Sequence, residues 1–201
     1  DLVRSRGLGD VYKRQVFGMI NGIEGFAEGR VMDMEELKRS GELELVKTTP
    51  GSYLGSCRYK LPKDLNDEVY PKLFERFKEY DIGYFFYIGG NDSMDTVSKL
   101  SRYAEMVGSD ICFLGIPKTI DNDLPCTERT FGFDTAMAMA TEALDRIHTT
   151  AESHHRVMAL EVMGRYAGWI ALHSGIAGGA DVILIPEIPY SINSVIGKIR
   201  A

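Results

Sequence analysis

Between residues 84 and 116 the chain twice carries a short, mostly apolar run that ends on polar, glycine-bearing sequence. One amphipathic helix separates the two runs, and that pattern leaves few folds open. Residues 84–88 (YFFYI) predict a buried strand, Gly89-Gly90-Asn91-Asp92-Ser93 a tight turn, residues 94–107 a helix and residues 111–116 a second strand. Strands apolar along their whole length and joined through helices are the repeating unit of a parallel sheet covered on both faces. The pattern recurs downstream: a helix opened by Asp134 with Met137, Ala140, Leu144 and Ile147 on one face, a strand over 156–162, a helix over 167–176 and a strand over 181–185. Upstream, Leu73, Phe74, Phe77 and Tyr80 recur at helical spacing, with Asn66 or Asp67 as N-cap. Residues 32–40 predict a short helix, and residues 16–30, with four glycines, read as a broken helix and loops. The predicted fold class is α/β, a doubly wound, mostly parallel sheet.

The 201 residues are 44% hydrophobic and 26% charged, enough apolar material for a real core in one large α/β domain, or one domain and part of another. A net charge of −6 argues against nucleic acid or an anionic membrane as partner, so an anionic substrate needs a local basic cluster. No apolar run approaches the ~18 residues of a membrane span, and no signal peptide is visible. Cys57, Cys112 and Cys126 have neither metal spacing nor an even count for disulfides, which predicts a reducing, cytoplasmic setting. His154-His155 reads as a solvated helix end. Residues 1–15 show no helical or strand periodicity and read as a tail.

Gly115-Ile116-Pro117-Lys118-Thr119-Ile120-Asp121-Asn122-Asp123 concentrates the chemistry. Gly115 and Pro117 predict the end of the second strand, and open α/β sheets bind ligands at the carboxyl ends of strands. Asp121 and Asp123, two apart, share a face if the segment is extended. One can act as general base for a hydroxyl while the other helps hold Mg²⁺-phosphate. The competing reading is a network of Asx turns, which needs neither Lys118 nor Thr119. The Gly89–Ser93 turn fits a phosphate, because glycine admits close backbone approach and a helix N-terminus presents N–H groups. A tight turn needs glycine anyway, and Asp92 repels an anion unless a cation intervenes. Arg165 beside Gly164 and Arg58 after a Gly/Ser loop are candidate ligands for a phosphate or sugar oxygen, while strand-end arginines such as Arg156 also read as simple surface charges.

Taken together, Gly55-Ser56-Cys57-Arg58, Gly89–Ser93, residues 117–123 (PKTIDND), residues 131–136 (FGFDTA) and residues 161–165 (EVMGR) resemble the phosphofructokinase family, in the family's order, across roughly residues 16–201. The resemblance implies a phosphofructokinase-like fold truncated at both ends, with residues 1–15 outside it. It also implies an incomplete phosphoryl-donor domain over 16–132 and the start of a fructose 6-phosphate domain over 133–201. Carried over by position, Asp121 is the base for the 1-hydroxyl of fructose 6-phosphate. Thr119, Arg156, Met163, Gly164 and Arg165 match sugar-phosphate positions. Arg58, Gly89, Gly90, Asn91, Asp92, Ser93 and Lys118 match the donor side, and Asp123 and Asn91 the Mg²⁺ side. The position of Arg156 implies a homo-oligomer, because its counterpart reaches a neighbouring active site.

Asp92 and Lys118 stand where ATP-using members have glycine, and the pairing resembles pyrophosphate-using members. A carboxylate at position 92 crowds ATP's α-phosphate, whereas Lys118 neutralises a compact diphosphate. The expected activity is therefore a diphosphate–fructose-6-phosphate 1-phosphotransferase, with an ATP-dependent 6-phosphofructokinase or a non-catalytic sugar-phosphate or nucleotide-binding module as alternatives. Asn91 departs from the family's aspartate and is a weaker metal ligand. The family's opening glycine-rich loop is not matched in residues 1–15, and the family continues past residue 201, so the chain is expected to be inactive alone. A dinucleotide-binding dehydrogenase is disfavoured because no G-x-G-x-x-G follows a strand.

Overall fold

The computed structural model describes residues 2–5 and 15–200, with side chains from residue 15 onward. The chain divides into two compact units that meet between Ile116 and Pro117.

In the first unit, β1 (Leu2–Ser5), β2 (Val16–Met19), β3 (Val31–Asp33), β4 (Ile82–Gly89) and β5 (Cys112–Thr119) lie in the order β3-β2-β1-β4-β5. The neighbours β4 and β5 are joined by α5 (Asn91–Val107), the connection of a parallel βαβ unit. The predicted strand-turn-helix-strand is therefore present. The other half of the sheet differs from expectation: β1 pairs antiparallel with both β2 and β4, and β2 antiparallel with β3. Between β2 and β3 the chain has room for only α1 (Gly22–Ala27), and a parallel crossover takes roughly a dozen residues or more. The broken helix expected over 16–30 is thus a strand, a short helix and a return strand. The tail expected over 1–15 forms β1 at residues 2–5, and residues 6–14 lie outside the described residues.

Asp33 caps α2 (Met34–Arg39) by accepting the Glu35 N–H at 2.9 Å, and the four-residue α3 (Leu43–Val46) follows. α4 (Val69–Glu79) has Glu68, not Asn66 or Asp67, at its N-cap; Asp67 stands one residue earlier and accepts the Val69 N–H at 3.0 Å. The helical stripe Leu73, Phe77 faces the sheet residues Phe85 and Tyr87 in the buried core, joined by Ile23, Phe26, Leu61, Tyr70 and Leu100. Phe77 is the hub: its ring lies 4.8 Å from Phe26, 5.3 Å from Phe85 and 5.6 Å from Phe113, centroid to centroid.

Gly115 does not end β5. A Cβ there would meet Met94 Sδ at 2.6 Å, so glycine lets α5 lie against the strand. Pro117 does not end it either, because Lys118 and Thr119 still pair, in parallel, with Phe131 and Gly132 of β6 (Phe131–Gly132). These last residues of β5 belong to the second unit, with α6 (Phe133–His154), α7 (Trp169–Ala177) and α8 (Ile192–Arg200). α6 packs on α7, with Phe133 and Ile170 buried and no room for a side chain at Gly178 against Leu144. The unit begins ahead of the boundary expected at 132/133 because Thr130 is bonded back to Thr119 and Asn122. As expected, His154 and His155 form an exposed helix end, with His155 in the left-handed region.

Two predicted strands are absent. Residues 156–162 and 181–185 are irregular, and Val157, Met158, Leu160 and Leu184 are exposed. Their composition suits a ladder, but a strand exists only with a partner, and among the described residues neither run has one. No described helix is long and apolar enough to cross a membrane.

Candidate active site

Within the second unit the chemistry gathers on the loop after β5. The Thr119 hydroxyl accepts the Asp121 N–H at 3.2 Å, which turns the chain out of the strand. Asn122 then takes the left-handed conformation (φ 54°). The expected extended segment, with Asp121 and Asp123 on one face by alternation, is therefore replaced by a kink. The side chain of Asn122 holds that kink: its oxygen accepts the Thr130 N–H at 2.8 Å and its amide donates to the Glu128 carbonyl at 3.1 Å. The Thr130 hydroxyl donates to the Thr119 carbonyl at 2.6 Å. Sequence reasoning missed Asn122 and Thr130 as organisers. The available signal was an asparagine, the non-glycine residue most tolerant of a positive φ, between two aspartates.

The kink still brings the two aspartates together. Asp121 Oδ1 is buried without a hydrogen-bond partner, and Asp123 Oδ1 is buried as well. Burial raises the Asp121 carboxyl above the usual carboxylate range, and the charge of Asp123 raises it further. Arg165 and the hydrogen bond to Thr119 act in the opposite sense. Arg165 is thus within electrostatic reach of Asp121. It adopts φ 56° directly after Gly164, where a Cβ would stand 2.3 Å from the Ala167 carbonyl oxygen. Only glycine fits this turn, whose exit is fixed by the Ala167 N–H donating to the Gly164 carbonyl at 2.8 Å. Met163 and Arg156 are both exposed, the latter just beyond the end of α6. Lys118 is exposed at the end of β5. Glu187, not singled out in the sequence, accepts the Gly168 N–H at 2.7 Å at the start of α7. An open groove of about 720 Å³ flanks Asp123, with Arg129, Phe133, Trp169 and His173 in its wall.

The first unit carries the other set. Gly90 is the N-cap of α5 and contributes no side-chain bond. A Cβ on Gly89 would lie 2.0 Å from Ser93 Oγ, so the turn closes only with glycine there. Asp92 pairs with Lys60 at 2.9 Å, a partner the sequence did not disclose. Arg58 is exposed on the segment that leads to Lys60. Gly55 (φ 76°) fixes the start of that segment against Asn21, whose N–H donates to the Leu54 carbonyl at 2.7 Å.

Among the described residues no group of three or more His, Cys, Asp or Glu forms a metal cage. Mg²⁺ does not require one, since it is commonly held by one or two carboxylates together with substrate phosphates. Two adjacent carboxylates, each with a buried oxygen, fit that mode.

The first unit thus holds a glycine turn that enters a helix, and the second a loop with two buried carboxylate oxygens. The family profile described as Phosphofructokinase matches residues 7–201, starting earlier than the motifs did. The ATP-dependent 6-phosphofructokinase of Propionibacterium freudenreichii is 40% identical over 202 residues, covering 96% of this chain and 52% of that protein. The ATP-dependent 6-phosphofructokinase of Chloroflexus aurantiacus is 44% identical over 195 residues, covering 93% and 52%. A solved pyrophosphate-dependent phosphofructokinase from Marinobacter aquaeolei superposes with a TM-score of 0.78 at 37% identity, over 92% of this chain and 47% of that one. The chain belongs to the phosphofructokinase family, and it spans about half the length of these relatives.

Proposed function

We propose that the protein carrying this chain transfers a phosphoryl group from pyrophosphate to the 1-hydroxyl of fructose 6-phosphate, giving fructose 1,6-bisphosphate. The observation that carries the transfer reaction is the buried, unpartnered oxygen of Asp121 beside Asp123 and Arg165. A carboxylate held above its ordinary range is a stronger base than one in water. It takes the proton of the sugar hydroxyl as that oxygen bonds to the terminal phosphorus, and the bond to the departing phosphate breaks. Arg165 and Thr119 hold the sugar phosphate, with Met163 and Gly164 shaping its bed. Asp123 would hold Mg²⁺ with the donor's oxygens, an ion that spreads the charge of the transferring group.

Asp92 supports pyrophosphate as donor, since a side chain in place of glycine at the first turn of α5 crowds the longer polyphosphate of ATP, while Lys118 suits a compact diphosphate. Pyrophosphate-dependent structural neighbours agree with this reading. ATP is the second reading, favoured by the names of the curated relatives. Steady-state assays of the full-length protein with fructose 6-phosphate and either donor decide between them: faster turnover with ATP than with pyrophosphate overturns the first. Exposed Arg156 supports a homo-oligomer in which this guanidinium serves a neighbouring site.

A further inference from the structure

We propose that Lys60 is a donor-binding residue, its ammonium cancelling the charge of Asp92 so that the first turn of α5 accepts pyrophosphate. The inference rests on reading Gly89–Ser93 as the donor side. Lys60 Nζ stands 2.9 Å from Asp92 Oδ1, with both side chains 67% exposed. A pair this exposed contributes little to stability, so its value lies in where it is held.

The neighbours fix that place. Leu61 is 3% exposed within the core, and its carbonyl accepts Lys99 Nζ at 2.9 Å. Lys99 lies on α5, and Asp95 holds it at 2.6 Å. The next carbonyl, that of Pro62, accepts the Tyr70 hydroxyl at 2.5 Å. The segment carrying Arg58 and Lys60 is therefore strapped along α5, and Lys60 stays by the helix's first turn. There the N–H groups of the turn attract an anion and Asp92 repels it. With Lys60 in place the side-chain charge sums to zero and the attraction remains. An ammonium has three donors, so it can keep one on Asp92 while turning another to a diphosphate oxygen. Without Lys60, the carboxylate faces the anion alone.

The test is calorimetric titration of the full chain with magnesium pyrophosphate and, separately, with fructose 6-phosphate. It compares the unmutated protein with Lys60→Ala, Lys60→Arg, Asp92→Asn and the Lys60→Ala/Asp92→Asn pair. Lys60→Ala is expected to weaken pyrophosphate about tenfold, with fructose 6-phosphate affinity and Tm unchanged. Lys60→Arg should stay within about threefold of the unmutated protein, since it restores the charge. In the Asp92→Asn background the loss from Lys60→Ala should shrink, because no carboxylate is left to cancel. Equal pyrophosphate affinity in Lys60→Ala and the unmutated protein overturns the proposal, as does an equal loss for fructose 6-phosphate. Failure of the underlying donor reading has a different signature: the unmutated protein itself then binds no pyrophosphate.

Discussion

The side-chain oxygen of Asn122 accepts the backbone N–H of Thr130 at 2.8 Å, across the base of the loop that holds Asp121 and Asp123. The same asparagine adopts φ 54° and reaches the Glu128 carbonyl, so one residue sets both the kink and its closure. Replacing it with alanine removes the bonds while keeping the strained backbone. Asn122→Ala should cost about 1–3 kcal/mol of stability in urea unfolding. It should also lower kcat, because Asp121 and Asp123 lose their fixed spacing.

Asp121→Asn separates catalysis from stability. Loss of the base should lower kcat by about 10²–10⁴. The folded-state pKa of Asp121 is raised, mainly by burial, so the folded chain binds the proton more tightly than the unfolded chain does. The stabilisation from protonation is complete below the ordinary value of 3.8 and is lost as pH rises through the folded value. Above that folded value the ionised group is therefore a cost. The Tm of Asp121→Asn should equal or exceed that of the unmutated protein at pH 7. A lower Tm would contradict this account.

The same shift governs activity. A base must be deprotonated, so the acid limb of kcat/KM should fall at a pH above the ordinary carboxylate value and move lower when Asp123 is replaced by asparagine, which removes the second cause of the shift. A pH–rate profile of the two proteins checks both statements.

Donor choice should follow charge at two positions. Asp92→Gly together with Lys118→Gly removes both the carboxylate at the α5 turn and the ammonium at the end of β5. The ratio of kcat/KM for ATP to that for pyrophosphate should rise, even if total activity drops. An unchanged ratio places donor selection elsewhere.

Phe77 tests the core of the first unit. It is fully buried, with rings around it on three elements. Phe77→Ala should cost about 3–5 kcal/mol, read as a shifted denaturation midpoint.

Much of this was legible in the residues. Apolar runs and glycine turns marked the β4–α5–β5 unit, yet the burial expected on both faces holds only in part: Cys112 and Leu114 of β5 are exposed. The electrostatic influence of Arg165 on Asp121 was reachable only through the family resemblance, since forty-odd residues separate them. The misreadings share one cause: local signals cannot see partners. Pro117 looked like a strand end until β6 was there to pair beyond it. Residues 156–162 and 181–185 looked like strands because their composition is right, but a ladder needs a second chain segment. The Lys60–Asp92 pair joins residues brought together by a strap whose anchors, Leu61, Lys99 and Tyr70, carry no motif.

Position 89 is closed to any side chain by Ser93 Oγ, 2.0 Å from where a methyl would stand. What the turn offers an anion therefore comes from main-chain hydrogens, which substitution cannot retune. A change of phosphate source at this turn would have to come from the side chains around it, Lys60 and Asp92 among them.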